Sequence, residues 1–289
     1  MPGWRFLSDE PASTGAWNMA VDEALLRCAE EEGAFRPVLR LYSWSPACLS
    51  IGHNQSLEEA CDPSYCRARG FDVVRRPTGG KAVLHADEVT YAVVGRHDLP
   101  PFGGLSLIDT YGLIAEALAE GLRSVGLDVS LCERQGSVSP SGGAPCFLVP
   151  SEKEITVAGR KVVGSAQRRG TRAFLQHGAV PLHLDYEALA LASGQPAAHA
   201  ESYRRAFAGV ADLQEGVLAE RLRAALAEGF RRRFTGPWAT GPLSGRERAI
   251  AVELERHRYG NESWNRRATA ARDAQPGDSL TGGGLPCSN

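Results

Sequence analysis

Three short stretches carry residue types that do chemistry. The first is RRPTGGKAVLHADEVTYAVV, residues 75–94, in which two arginines, a Pro-Thr-Gly-Gly turn and a lysine run into a strand. Backbone with so little side chain lets amide groups approach a ligand closely, and the cations suit an anionic group or one that carries charge along its route in. The second is GRKVVGSAQRR, 159–169, where Lys161 sits beside a turn and Gly164, Ser165 and Ala166 form a run of small residues. The third is APCFLVPS, 144–151, with Cys146 between two prolines rather than at an alternating core position. Each has a plain structural reading when taken alone: glycine for a positive φ, a solvated lysine on a hairpin, a cysteine that packs.

The rest of the chain limits what these segments can serve. The 289 residues are 43% hydrophobic and carry a formal net charge of −2, so there is no global basic field and nucleic acid is not the default partner. No run reaches the ~18–20 apolar residues of a membrane span, and MPGWRFLSDEPAS lacks the apolar core of a signal peptide. A cytoplasmic protein is expected. The seven cysteines (28, 48, 61, 66, 132, 146, 287) are scattered and odd in number, without paired CxxC spacing, which argues for free thiols over zinc or a disulfide framework.

Helices are predicted over 16–32, 62–70, 105–125, 214–234 and 244–258. In the first, Trp17, Val21, Leu25 and Cys28 share a face and the acids are expected on the other. Strands are predicted at 38–44, 47–52, 71–76, 89–94 and 128–133, then a hairpin turning near Ala158-Gly159-Arg160 followed by a further strand. Strands and helices do not alternate regularly. The expectation is an α+β fold, a mixed and largely antiparallel sheet core with helices packed on it. One catalytic domain is expected over residues 1–267, C-terminal helices included, with 268–289 a disordered tail.

Taken in order, RRPTGGKAVLH, CF…P, GRKVVGSAQRR and QHG resemble the biotin/lipoate protein ligase and lipoyltransferase superfamily, over roughly residues 3–265. The NMAVDEALL helix and the RRPTGGKAVLH loop are shared by ligases and transferases. Cys146 separates them: PCFLVPS, fifteen residues before Lys161, is similar to the cysteine segment of the LipM-type octanoyltransferases. Leu148 and Val149 stand where that branch usually has Asp-Ser, and SEKEI replaces an aromatic-bearing pattern.

The resemblance implies transfer of octanoate from acyl carrier protein, through a Cys146 thioester, to the lysine of a lipoyl domain such as glycine cleavage H protein. No cofactor is implied. Lys161 would favour the thiolate, since a nearby cation stabilises the charged form. Arg76, Thr78, Gly79, Gly80, Lys81, Ala82, Val83, His85, Gly164, Ser165, Ala166 and His177 would form the substrate site. The acyl chain calls for an apolar slot, because burying it is worth on the order of 5 kcal/mol at ~0.8 per CH2. Arg75, Arg76 and Lys81, with Arg168, Arg169 and Arg172, are expected to steer acidic carriers. Three other readings stay open. One is an ATP- and magnesium-dependent lipoate–protein ligase, although the 70–80 residues after Leu184 are short for its accessory domain. The others are an octanoyl-carrier amidotransferase and a binding protein without turnover.

Overall fold

In the computed structural model, residues 3–8, 11–132 and 153–266 are described. Cys146, its loop and the expected tail lie outside the described residues. The strands are β1 (Trp4–Ser8), β2 (Val38–Tyr42), β3 (Cys48–Ile51), β4 (Asp72–Arg75), β5 (Val83–His85), β6 (Glu88–Arg96), β7 (Val129–Leu131), β8 (Ile155–Val157), β9 (Arg160–Lys161), β10 (Gly164–Arg169), β11 (Ala173–Pro181) and β12 (Trp238–Thr240). The helices are α1 (Gly15–Glu31), α2 (Leu57–Ala60), α3 (Pro63–Ala68), α4 (Leu107–Ser124), α5 (Tyr186–Ala192), α6 (His199–Ala206), α7 (Val210–Leu213), α8 (Ala219–Arg233), α9 (Gly245–Leu254) and α10 (Glu262–Asn265). A π-helical turn, Glu255–Tyr259, extends α9.

The main sheet has six strands in the order β10-β11-β6-β2-β1-β12, antiparallel from β10 to β2 and parallel beyond. This is the mixed, largely antiparallel core expected of the chain. All nine residues of β6 and of β11 are buried, because both sheet faces are covered. The period-2 alternation divides their side chains. Val89, Tyr91 and Val93 pack with Ile114 and Leu118 of α4 and Leu226 and Phe230 of α8. Ala92 and Val94 pack on the opposite face with Leu25 of α1 and Leu254 of α9. A smaller sheet, β4-β3-β5, forms its own core with α5 and α6, and β7-β8-β9 is a third.

Two sequence expectations change. Two acids of α1 are not on a solvated face: Asp22 and Glu23 are 0% and 4% exposed, whereas Glu31 is exposed. The helix lies between the main sheet and the C-terminal helices, so even its polar residues need internal partners, and Arg258 and Tyr259 supply those of Glu23. Beyond the β8–β9 hairpin, which turns at Ala158 and Gly159 with positive φ, there are two strands rather than one. The half-buried β10 lies at the sheet edge beside β11, and an edge strand lacks the apolar alternation that makes a strand legible.

The α4–α8 pair is close because a glycine faces the partner helix. A Cβ on Gly229 would lie 2.3 Å from the Ala117 carbonyl oxygen. In an ordinary helix interior Gly→Ala gains about 1 kcal/mol. Here Gly229→Ala is predicted to lose about 1–3 kcal/mol by overpacking. The control is Gly112→Ala, whose Cβ would meet only the flexible Lys153 side chain at 3.4 Å. Denaturant unfolding of both variants checks the opposite signs.

Candidate active site

The Gly-rich loop follows β4 directly, and two arginines at its start hold it. Arg75 is 1% exposed. Its Nη1 donates to the carbonyls of Gly52, His53 and Gln55 at 3.1, 3.1 and 2.6 Å, and its Nη2 to Asn265 O at 3.0 Å. Arg76 is 5% exposed and donates to Ser50 O and Oγ, Gly79 O and Lys81 O. These are not steering cations on a surface. Arg76 satisfies carbonyls of the Gly-rich loop itself, which has few side chains of its own, and Arg75 those of the chain after β3 and of α10. Arg169 likewise donates to Leu105 O and Ser106 O at the start of α4. The turn itself depends on Gly80, at φ +93°. It also depends on Gly52, where a Cβ would lie 1.9 Å from Gly80 O.

A cavity lies beneath this loop. Arg76, Val83 and His85 line it from one side and Lys161, Gly164, Ser165, Ala166 and His177 from the other. Eight of the residues expected at the site therefore converge from segments far apart in sequence. Gly79 and Gly80 line a second, more open groove together with Leu107, Ile108 and Tyr111. Ser165 and Ala166 line both, so the small-residue stretch is their common wall. Leu107 and Ile108 are 47% and 48% exposed, at the first turn of α4. Ala82 packs into the core of the smaller sheet. Thr78 is fully buried with its hydroxyl on His177.

Two buried histidine–carboxylate pairs flank the cavity. In the first, His177 Nδ1 lies 2.8 Å from Asp22 Oδ2 and Nε2 lies 2.6 Å from Thr78 Oγ1. Asp22 also accepts from Arg40 Nη1 at 2.7 Å and the Tyr42 hydroxyl at 2.9 Å. Arg40 donates further to Asn18 O and Oδ1. Burial pushes the Asp22 carboxyl up, but the Arg40 charge and the His177 bond outweigh it and hold Asp22 below the usual range. Burial pushes His177 down, which keeps the ring neutral. In the second pair, His85 Nδ1 lies 2.7 Å from Glu88 Oε1 and Nε2 lies 2.8 Å from Ser50 Oγ. The ring stacks on Trp44 at 4.0 Å. Lys161 is 6% exposed and its Nζ lies 2.5 Å from Glu154 Oε1, so this lysine is a buried ion-pair member rather than a solvated hairpin cation. Tyr91, its hydroxyl pushed up to about 12 by burial, donates to Ser165 Oγ at 2.7 Å.

Sequence reasoning missed Asn18, Asp22, Arg40, Tyr42, Ser50, Glu88 and Glu154. A signal existed for the first two: Asn18 and Asp22 are spaced i, i+4 and so share one helix face with apolar neighbours.

The Asp22–Arg40 pair is completely buried, so Asp22→Asn leaves an unmatched cation inside. The expected loss is about 3–5 kcal/mol at neutral pH. The pH dependence carries the sign. Asp22 has a lowered folded pKa, so its contribution is complete above the unfolded value near ~3.9 and is lost as pH falls through the lower folded value. His177, lowered too, adds destabilisation as pH falls through ~6.5, where the unfolded ring takes its proton first. Denaturant unfolding across this range checks both: the wild type weakens in two stages on acidification, and in Asp22→Asn the lower stage shrinks to what Glu23 and Glu247, also lowered, contribute.

Comparison with known proteins agrees with this geometry. Residues 14–231 match the family described as the lipoyl protein ligase A/B catalytic domain. Octanoyltransferase LipM of Kyrpidia tusciae is 41% identical over 278 residues, covering 92% of this chain and 100% of that protein. LipM of Carboxydothermus hydrogenoformans is 39% identical, covering 91% and 98%. Among solved structures, lipoate-protein ligase A bound with ATP superposes with a TM-score of 0.76 at 27% identity, covering 92% of this chain and 99% of that one. With a shared catalytic domain along most of its length and near-complete coverage of the transferases, the chain belongs to the LipM octanoyltransferase family.

Proposed function

We propose that this octanoyltransferase holds octanoate as a thioester on Cys146, between acyl carrier protein as donor and the lysine of a lipoyl domain as acceptor. The acceptors would be proteins such as glycine cleavage H protein or a 2-oxoacid dehydrogenase E2 subunit, in the first step of protein lipoylation. The observation that supports it best is the buried Lys161 ammonium in the cavity wall, next to Gly164-Ser165-Ala166 and fifteen residues after the thiol in sequence. A cation there favours thiolate over thiol.

The chemistry balances without ATP. The Cys146 sulfur bonds to the acyl carbon as the donor's thiolate leaves. The acceptor Nζ then bonds to the same carbon and the Cys146 sulfur leaves. Exchange between thioesters is nearly isoenergetic, and amide formation from a thioester is downhill. The developing oxyanion needs donors, worth roughly 2.7–4 kcal/mol each in hydrolases. The backbone N–H groups of 164–166 or the Lys161 ammonium would serve. For the acceptor class, one structural relative is a bi-partite lipoate protein ligase from Thermoplasma acidophilum studied with its E2 lipoyl domain, superposing with a TM-score of 0.77 at 25% identity.

Incubation with an octanoyl-acyl carrier protein, without ATP, is expected to add one octanoyl group by intact mass that hydroxylamine removes. Cys146→Ala is expected to abolish it. Turnover of that variant with ATP, magnesium and free acid would instead establish the ligase reading that the fold also accommodates. In Lys161→Met, alkylation of Cys146 by iodoacetamide is expected to need higher pH than in the wild type. An unchanged profile would remove the thiolate role of the lysine.

A further inference from the structure

The second histidine pair has an internal logic that assigns it a task. Arg76 Nη1 is donor-only and lies 3.1 Å from Ser50 Oγ, so the serine oxygen accepts there. Trp44 Nε1 is also donor-only and points to Thr90 Oγ1 at 2.7 Å, leaving the threonine hydrogen for Glu88 Oε1. The carboxylate accepts only, so His85 Nδ1 carries the hydrogen that reaches it. His85 Nε2 is then a bare lone pair, and the Ser50 hydroxyl donates to it across 2.8 Å. These directions hold for the neutral ring, in which every donor in the chain from Arg76 to Trp44 meets an acceptor.

The two pairs differ in charge balance. Asp22 is already matched by Arg40, so a proton on His177 would add a net charge in a closed interior. Glu88 is 5% exposed, and among the described residues its ion-pair partner is His85. A proton taken by His85 therefore completes a buried ion pair instead of creating an unmatched charge. Ser50, His85 and Arg76 all line the cavity.

We propose that His85 is the base that accepts the proton of the acceptor amine, relayed by Ser50 and held by Glu88. This assignment rests on the transfer to a lysine proposed above. The acceptor arrives as an ammonium and must shed two protons to become an amide nitrogen. Before attack, one proton of the ammonium goes to Ser50 Oγ while the serine's own passes to His85 Nε2, giving an imidazolium paired with Glu88 and an amine with a free lone pair, which bonds to the acyl carbon as the C–S bond breaks. One proton is returned to the departing sulfur and the other to water. Ser50 and His85 are catalytic residues in this step, and Glu88 is a positioning residue.

The experiment separates the half-reactions. Wild type, His85→Gln, Glu88→Gln and Ser50→Ala are first loaded from octanoyl-acyl carrier protein. Acyl-enzyme decay is then followed with a lipoyl domain, or with hydroxylamine, an amine already neutral at neutral pH. The expected result is lipoyl-domain decay slowed about 10²-fold in the variants relative to hydroxylamine decay of the same acyl-enzyme. Equal slowing with both amines, or a parallel loss of loading, would reduce His85 to a pocket-shaping residue and overturn the proposal. Should the variants not fold, the wild type still decides. A solvent isotope effect is expected with the lipoyl lysine and not with hydroxylamine, and equal effects overturn the relay. If the wild type never loads, the thioester reading has failed, and the relay falls with it by a visibly different result.

Discussion

A carboxylate with no exposure to water, Asp22, ties the candidate site together. It sits on α1 and gathers donors from β2 through Arg40 and Tyr42 and from β11 through His177. His177 passes the connection on to Thr78 of the Gly-rich loop. Burying such a charge costs several kcal/mol, and an ion pair seldom returns more than that cost. The network therefore contributes little net stability. What it fixes is relative position, because each donor satisfies Asp22 only from one direction. A helix, two strands and a loop are brought into one register, and the histidine tautomer follows from it.

The arginines of the loop obey the same rule in reverse. In the first case a buried anion needs donors; in the second, buried carbonyls do. Arg75 reaches five carbonyl groups, from the chain after β3 and from α10, and the Trp264 indole donates back to the Arg75 carbonyl. The C-terminal helix is thus bound to the site loop although nearly 190 residues separate them. A loop made of Pro, Thr and two Gly has few side chains to complete its own bonds. Positive charge and missing side chain in RRPTGGK are two halves of one arrangement.

This explains which parts were legible in the sequence. The helices α1 and α4 and the strand β6 follow from local periodicity, and Ser106 caps α4 as its type and position indicate. The site loop stood out by composition, and Lys161, Gly164–Ala166 and His177 by motif, and these do line one cavity. The polar partners were not legible. Asp22 and His177 are 155 residues apart, and a sequence shows charge without showing who neutralises it. Arg75 and Arg76 looked like surface cations for that reason. Asp22 and Glu23 looked solvated because their partners are remote in sequence, Arg40, Tyr42 and His177 for the first and Arg258 and Tyr259 for the second. Cys146 was singled out by motif, and it lies outside the described residues.

The division of the site into two spaces has a physical consequence. The inner cavity holds the polar relays and the lysine, whereas the outer groove is walled by Leu107, Ile108, Tyr111 and glycine backbone. An acyl carbonyl must meet donors, while its alkyl chain gains only from apolar contact. One wall, Ser165 and Ala166, serves both spaces, and it is made of small residues. Ser165 is further held by the Tyr91 hydroxyl from the central strand, so this wall is set by the sheet rather than by a loop. That accounts for a feature that motif alone leaves unexplained. The small residues after the lysine let one short segment of strand line both the cavity that holds the lysine and the groove beside α4.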